Sequence, residues 1–334
     1  MKYRFLGRSG LQVSELAMGT QTFGWGVDQQ TANRMADQFV QAGGNLFDTS
    51  STYNDGESER LLGSWLGTIA SRESVVIATK VFFQTGEGPN GFGLSRKHIL
   101  ATVDRSLNRL GTDYVDLLQA HCFDMSTPIE ETLRAFDDLV SCGKVRYLGV
   151  SNFTPSQLMK TAMLSRIHDY APIVSLQAEY SLIVRSTEWE LLPVCREEGI
   201  ALLAWSPLAG GWLSGKYQRG RSAPPDSRVG RGDRWDDKAE QRESELTWRV
   251  IDALTEIAAA RGKSVSQVAL NYLLGHPDPI IPIFGARTPE QLATNLGSVD
   301  WSLDDDERQK LSDASAVPLP YPYRFVERYT RRPE

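Results

Sequence analysis

The chain repeats one device eight times: a short apolar run followed by a stretch whose apolar residues recur at helical spacing. The runs occupy 15–20, 45–50, 75–81, 114–121, 145–151, 173–180, 200–207 and 280–286. The first six begin about 30 residues apart, the length of one βα unit. Runs that are apolar throughout belong to strands buried on both faces, as in a parallel sheet covered by helices. Eight such units predict an α/β fold of the (β/α)8 TIM-barrel type rather than an open doubly wound sheet. The 334 residues fit one barrel domain, 1–334. A dinucleotide-binding open sheet would carry G-x-G-x-x-G after its first strand. Here the run is Gly19-Thr20-Gln21-Thr22-Phe23-Gly24, which lacks that spacing.

Helix signals fall between the runs. A pattern at 31–42 stops at Gly43-Gly44, and one at 58–67 has Glu57 and Glu59 in its first turn. Another at 96–110 lies between Ser95 and Gly111, and 129–141 carries Glu130 and Glu131 early. Thr154-Pro-Ser-Gln157 is a capping box with proline at the first helical position, and Thr288-Pro-Glu-Gln291 repeats it. Two further helices are expected at 244–260 and 266–274. Ahead of the first run, Tyr3-Arg-Phe5 and Leu11-Gln-Val13 read as an N-terminal hairpin across a glycine-containing turn. The irregular stretch 209–242 predicts a long functional loop at the C-terminal rim. The aromatic, proline-rich tail 318–325 is expected to fold over the barrel mouth.

Composition removes several function classes. A net charge of −6 argues against general binding to nucleic acid or an anionic membrane. The local arginines Arg219, Arg221, Arg228, Arg231 and Arg234 sit in the Gly/Pro/Asp-rich loop and read as loop, not as a polyanion site. Cys122, Cys142 and Cys195 have no CxxC spacing, so neither a disulfide framework nor a zinc site is expected. The N-terminus lacks an apolar leader, and no run approaches a membrane span. The expectation is a soluble, cytoplasmic protein. No heptad stands out, which leaves a homo-oligomer open.

Chemistry concentrates where the second run ends, in Asn45-Leu-Phe-Asp48-Thr-Ser-Ser-Thr-Tyr53. Lys80 and His121 lie at the ends of the next two runs. Barrel active sites form at the C-terminal ends of the strands. Taken singly, each reads better as structure: Asp48 as a helix cap, Tyr53 as a surface aromatic, Lys80 as a solvated strand end and His121 as a satisfied rim histidine. Four such groups on one rim, from consecutive strands, read as a site. A free phenol with a pKa of about 10 is a poor acid at neutral pH. A neighbouring ammonium stabilises the phenolate. Asp48 would pair with Lys80, and His121 would orient a carbonyl oxygen or assist the proton transfer. Such a site protonates an oxyanion as it develops on a carbonyl. Hydride delivery is the natural partner step.

These residues resemble the aldo-keto reductase superfamily along essentially the whole chain. The resemblance rests on Phe47-Asp48-Thr49 with Tyr53, Ala78-Thr-Lys80, Gln119-Ala-His121, Gly149-Val-Ser-Asn152-Phe and Ile281-Pro-Ile-Phe-Gly-Ala-Arg287. It implies Tyr53 as general acid/base, completed by Asp48, Lys80 and His121, and NADPH bound without a Rossmann fold. By position, Ser151, Asn152 and Gln177 are implied to hold the nicotinamide carboxamide, and Trp205 to stack on its ring. Ser206, Leu208, Gly210 and Lys216 would hold the pyrophosphate, with Gly19 and Thr20 beside the cofactor. Gly285, Arg287, Gln291 and Asn295 resemble the adenosine 2′-phosphate site.

The resulting expectation is NADPH-dependent reduction of a small-molecule aldehyde or ketone. Phe23, Trp25, Phe82, Phe83, Trp212, Trp235 and the 321–325 tail are candidates for an apolar substrate pocket. Cys122 should point away from the barrel axis. Two other classes compete. One is an NADPH-binding regulatory subunit, since the voltage-gated potassium channel beta subunits share this architecture. The other is a Schiff-base lyase using Lys80, which the pairing with Asp48 and the implied cofactor residues disfavour.

Overall fold

Eight parallel strands close into a barrel in this computed structural model, which describes residues 1–225, 227, 230 and 242–330. A separate antiparallel hairpin of β1 (Tyr3–Phe5) and β2 (Gln12–Ser14) precedes them. The barrel strands are β3 (Ala17–Gly19), β4 (Leu46–Asp48), β5 (Val76–Val81), β6 (Val115–Ala120), β7 (Val145–Ser151), β8 (Ile173–Glu179), β9 (Ala201–Trp205) and β10 (Ile280–Phe284). β10 pairs with both β9 and β3, which completes the ring. The fold is the expected (β/α)8 barrel.

The helices that cover it are α1 (Gln29–Gln41), α2 (Glu57–Leu66), α3 (Arg96–Leu110), α4 (Ile129–Ser141), α5 (Pro155–Ile167), α6 (Leu191–Glu198), α7 (Glu245–Arg261), α8 (Val265–Leu274), α9 (Pro289–Leu296), α10 (Asp305–Ala314) and α11 (Tyr323–Thr330). Among the described residues, no helix is long and apolar enough to cross a membrane.

Strand alternation divides the apolar residues into two cores. Met18, Phe47, Ile77, Leu118, Leu176 and Leu202 face outward and pack under the helices. Ala17, Leu46, Val76, Leu117, Ala201 and Ile281 face inward, and Leu6 and Val13 of the hairpin region join them. The hairpin therefore plugs the end where the strands begin. Ser14 N–H donates to Asn45 Oδ1 just before β4 (2.7 Å), and Arg8 N–H to the Gly199 carbonyl just before β9 (2.7 Å). Gly7 makes the close approach possible: at φ +58° a Cβ there would lie 2.4 Å from the Val174 carbonyl oxygen.

Some details depart from the sequence reading. The expected strands at 15–20 and 45–50 shorten to three residues each, because the chain turns at Thr20 and Thr49 toward the rim. Thr154 and Gln157 form the expected reciprocal capping box. At α9 the Thr288 hydroxyl accepts from Gln291 N–H (3.3 Å), but Gln291 Oε1 accepts from Arg287 N–H (2.9 Å), not from the cap itself. The boxes Ser264/Gln267 and Asp304/Glu307 were not foreseen. No residue of the tail 318–325 lines the cavity at the strand ends. Tyr321 is exposed, and Tyr323 rests against Trp189 at 6.0 Å between ring centroids.

Truncating the plug should open a cavity in the inner core. Leu6→Ala is expected to cost about 2–5 kcal/mol in urea denaturation, while Phe5→Ala, exposed on the hairpin, stays within about 0.5 kcal/mol. Equal effects would contradict the plug.

Candidate active site

The inward positions change character near the ends of the strands. Above the apolar layer stand Asp48 on β4, Lys80 on β5, Gln119 on β6 and Gln177 on β8, all buried. The strand register sets Lys80 beside Gln119, and Gln119 beside Gly149, while Ser151 neighbours Gln177. A side chain at 149 would not fit there, since a Cβ would lie 2.3 Å from Ser175 Oγ and 3.1 Å from Gln119 Cγ.

The Lys80 ammonium donates to Asp48 Oδ1 (2.5 Å), the Thr49 carbonyl (2.9 Å) and the Tyr53 hydroxyl (3.2 Å). Three donors are all an ammonium has. Burial opposes its charge, but Asp48 and Tyr53 outweigh burial, so the Lys80 pKa is raised above the ordinary lysine value. The other Asp48 oxygen accepts from Gln177 Nε2 (2.8 Å) and Gln119 Nε2 (3.2 Å). The Asp48 carboxylate thus has three donors converging on it from β5, β6 and β8.

His121 follows β6, with its N–H on the Val81 carbonyl (3.0 Å). Its ring stands edge-on to Tyr53 at 5.9 Å and to Phe83 at 4.8 Å, and Nδ1 lies 3.1 Å from Ser50 Oγ. Burial, aided by the Lys80 charge, holds its pKa well below the usual histidine value. His121 is therefore a neutral imidazole at neutral pH. Tyr53 begins a short 3-10 turn, Tyr53–Gly56, that leads into α2. Asp48, Tyr53 and His121 line a cavity of about 1100 Å³, and Lys80 is buried behind its wall, held to Asp48 and Tyr53.

The same cavity is lined by Gly19, Ser151, Asn152, Gln177, Trp205, Ser206, Leu208, Gly210, Lys216, Gly285, Arg287, Gln291 and Asn295. Asn152, at φ +57°, donates through its amide to the His121 carbonyl (2.9 Å) and accepts from Trp205 Nε1 (3.2 Å). It thereby locks the ends of β6, β7 and β9 together. Lys216 lies close against Gly211, where φ is +100° and a Cβ would meet Nζ at 2.6 Å.

Thr20 is the one residue of the expected cofactor set that is absent from the cavity wall. Its hydroxyl is buried, 3.1 Å from the Asp48 carbonyl and 2.8 Å from Ser58 Oγ. Of the expected pocket aromatics, Trp25 and Phe83 line the cavity, whereas Phe23, Phe82 and Trp212 belong to the outer core. Trp235, with Arg228, Arg231 and Arg234, lies outside the described residues. Cys122 packs against the outer core, as alternation requires.

Sequence reasoning missed several wall residues: Gln21, Thr22, Thr52, Asn54, Arg242 and Ser266. Arg242 ends the long loop and pairs with Glu179 at the end of β8 (3.0 Å). Gln119, which holds Asp48, was also missed, although its inward parity with His121 two residues on could have marked it. Among the described residues, no group of acidic, histidine or cysteine side chains could hold a metal ion.

Comparison with known proteins agrees with this geometry. The model of the aldo/keto reductase family matches residues 15–316. An uncharacterized oxidoreductase of Bacillus subtilis is 36% identical over 322 residues, covering 94% of this chain and 95% of that protein. A probable voltage-gated potassium channel subunit beta of Oryza sativa is 37% identical over 304 residues, covering 90% and 92%. Versiconal hemiacetal acetate reductase of Aspergillus parasiticus is 32% identical over 337 residues, covering 94% and 96%. With barrel, rim cluster and nearly full-length matches in agreement, the chain belongs to the aldo/keto reductase family and is an oxidoreductase of that family.

Proposed function

We propose that the protein reduces aldehydes or ketones to alcohols with NADPH, and that Tyr53 is the general acid. The observation that carries this reading is the 3.2 Å contact between the Tyr53 hydroxyl and an ammonium whose other two donors are already committed. A carbonyl oxygen that gains negative charge needs a proton donor beside it. As the phenol gives up its proton, the fixed Lys80 charge stabilises the oxygen left behind. Asp48 keeps that charge in place. His121, neutral and edge-on to the phenol, is positioned to hold the carbonyl oxygen without competing as an acid.

The cavity chemistry fits a dinucleotide phosphate. Lys216, Arg242 and Arg287 bring cationic groups to its wall, and Ser206, Ser214 and Ser266 bring hydroxyls. Against them stand the carboxylates of Asp48, already paired with Lys80, and Glu290. Arg287, Gln291 and Asn295 would hold the adenosine 2′-phosphate, Lys216 and the 206–210 loop the pyrophosphate, and Ser151, Asn152 and Gln177 the carboxamide beside Trp205. Bound there, the cofactor supplies the hydride.

The Oryza relative is named a probable voltage-gated potassium channel subunit beta, which keeps open the second reading, an NADPH-binding regulatory subunit. The complete Tyr53–Lys80–Asp48 arrangement favours turnover, and an NADPH-oxidation assay with a carbonyl panel separates the two.

Tyr53→Phe removes the proton but keeps the ring. It should lower kcat by roughly 10²–10⁴-fold while fluorescence titration shows NADPH binding unchanged; an active variant contradicts the role. Arg287→Ala should weaken NADPH binding about tenfold to a hundredfold, the loss of one charge-assisted contact, and leave NADH binding alone. An equal loss for both cofactors would remove Arg287 from the 2′-phosphate site.

A further inference from the structure

Tyr53 is followed by three residues in the left-handed region: Asn54 (φ 51°, ψ 48°), Asp55 (φ 55°, ψ 37°) and Gly56 (φ 84°, ψ 2°). L-residues visit this region singly, not in succession, so Asn54 and Asp55 together are strained unless their surroundings hold them, whereas Gly56 adopts it freely. The surroundings here act at both ends. At the far end Gly56 lies under the Arg109 side chain, where a Cβ would meet Arg109 Cδ at 2.8 Å. Arg109 Nε donates to Glu59 Oε2 (2.7 Å), and Glu59 is wholly buried on α2.

At the near end, next to Tyr53, the Asn54 amide nitrogen donates to two carbonyls of the loop after β3, Gln21 O (2.9 Å) and Phe23 O (2.6 Å). Phe23 is fully buried, so that loop is itself anchored in the core. The Tyr53 N–H also donates to the Ser50 carbonyl at 3.3 Å, and the Tyr53 carbonyl accepts from the Glu57 N–H.

We infer that Asn54 is a positioning residue for Tyr53. Its amide ties the left-handed turn to the loop after β3 and thereby sets the phenol oxygen against the Lys80 ammonium. Two properties of asparagine are needed at once: tolerance of positive φ, which glycine shares, and an NH₂ group that serves two carbonyls, which neither glycine nor aspartate has. The inference rests on Tyr53 being the general acid.

The test is a comparison of Asn54→Gly, Asn54→Asp and Tyr53→Phe in the full-length protein. Asn54→Gly relaxes the backbone and removes the donors. Asn54→Asp keeps the shape and sets a carboxylate against the two carbonyls. Both are expected to lower kcat about tenfold to a hundredfold, the scale of a small misplacement of a reacting group. NADPH affinity should fall far less than kcat, because Lys216 and Arg287 are untouched. The solvent deuterium isotope effect on kcat should rise as proton transfer becomes limiting. Wild-type kcat in Asn54→Gly would overturn the inference, and so would losses of NADPH affinity and thermal stability as large as the loss of kcat. Tyr53→Phe distinguishes the two levels. If it is active, the general-acid reading fails. If it is inactive while Asn54→Gly turns over normally, only the role of Asn54 fails.

Discussion

The Lys80 ammonium has zero exposure, inside a barrel whose lower half is apolar and closed by Leu6 and Val13. Removing one such charge from water costs several kcal/mol even after relaxation. Asp48 at 2.5 Å offsets that cost only because its own carboxylate is held by Gln119 and Gln177. The charge therefore depends on a polar layer assembled from β4, β5, β6 and β8, and the layer depends on the register of those strands. A shift of one residue in β5 would turn Lys80 to the helix side and put Thr79 or Val81 inside.

This arrangement gives the site a fixed charge with a single direction. Two of the three ammonium donors anchor it to Asp48 and the Thr49 carbonyl, and the third points at Tyr53. Neutral His121 closes the other side of the phenol. In the proposed reaction nothing in this group has to reorganise as charge develops on the substrate oxygen, which is the property that makes preorganised sites effective.

The barrel was legible because strands buried on both faces leave continuous apolar runs, and the rim residues because the second, third and fourth runs carry Asp48, Lys80 and His121 at or near their ends. Orientation off the strands was not legible. Thr20 follows β3 directly, yet it turns into a hydroxyl cluster with Ser58 rather than toward the cavity. Phe23, Phe82 and Trp212 have the same apolar character as Phe83 and Trp25, and only packing decides which of them line a pocket. The left-handed turn after Tyr53 left only a weak trace, the Asn-Asp-Gly composition of residues 54–56. Its tether to Gln21 and Phe23 joins residues 31 and 33 apart in sequence, beyond any local pattern.

The central claim is that Asp48 keeps a buried Lys80 charged. An NMR titration of Lys80 with ¹³C-labelled lysine, in the wild type and in Asp48→Asn, tests it most directly. The wild-type side chain should remain an ammonium beyond the ordinary value of 10.5, and loss of the carboxylate should leave burial less opposed and move the titration to lower pH. A Lys80 that is neutral at pH 7 in the wild type, or whose titration does not respond to Asp48→Asn, would contradict the account.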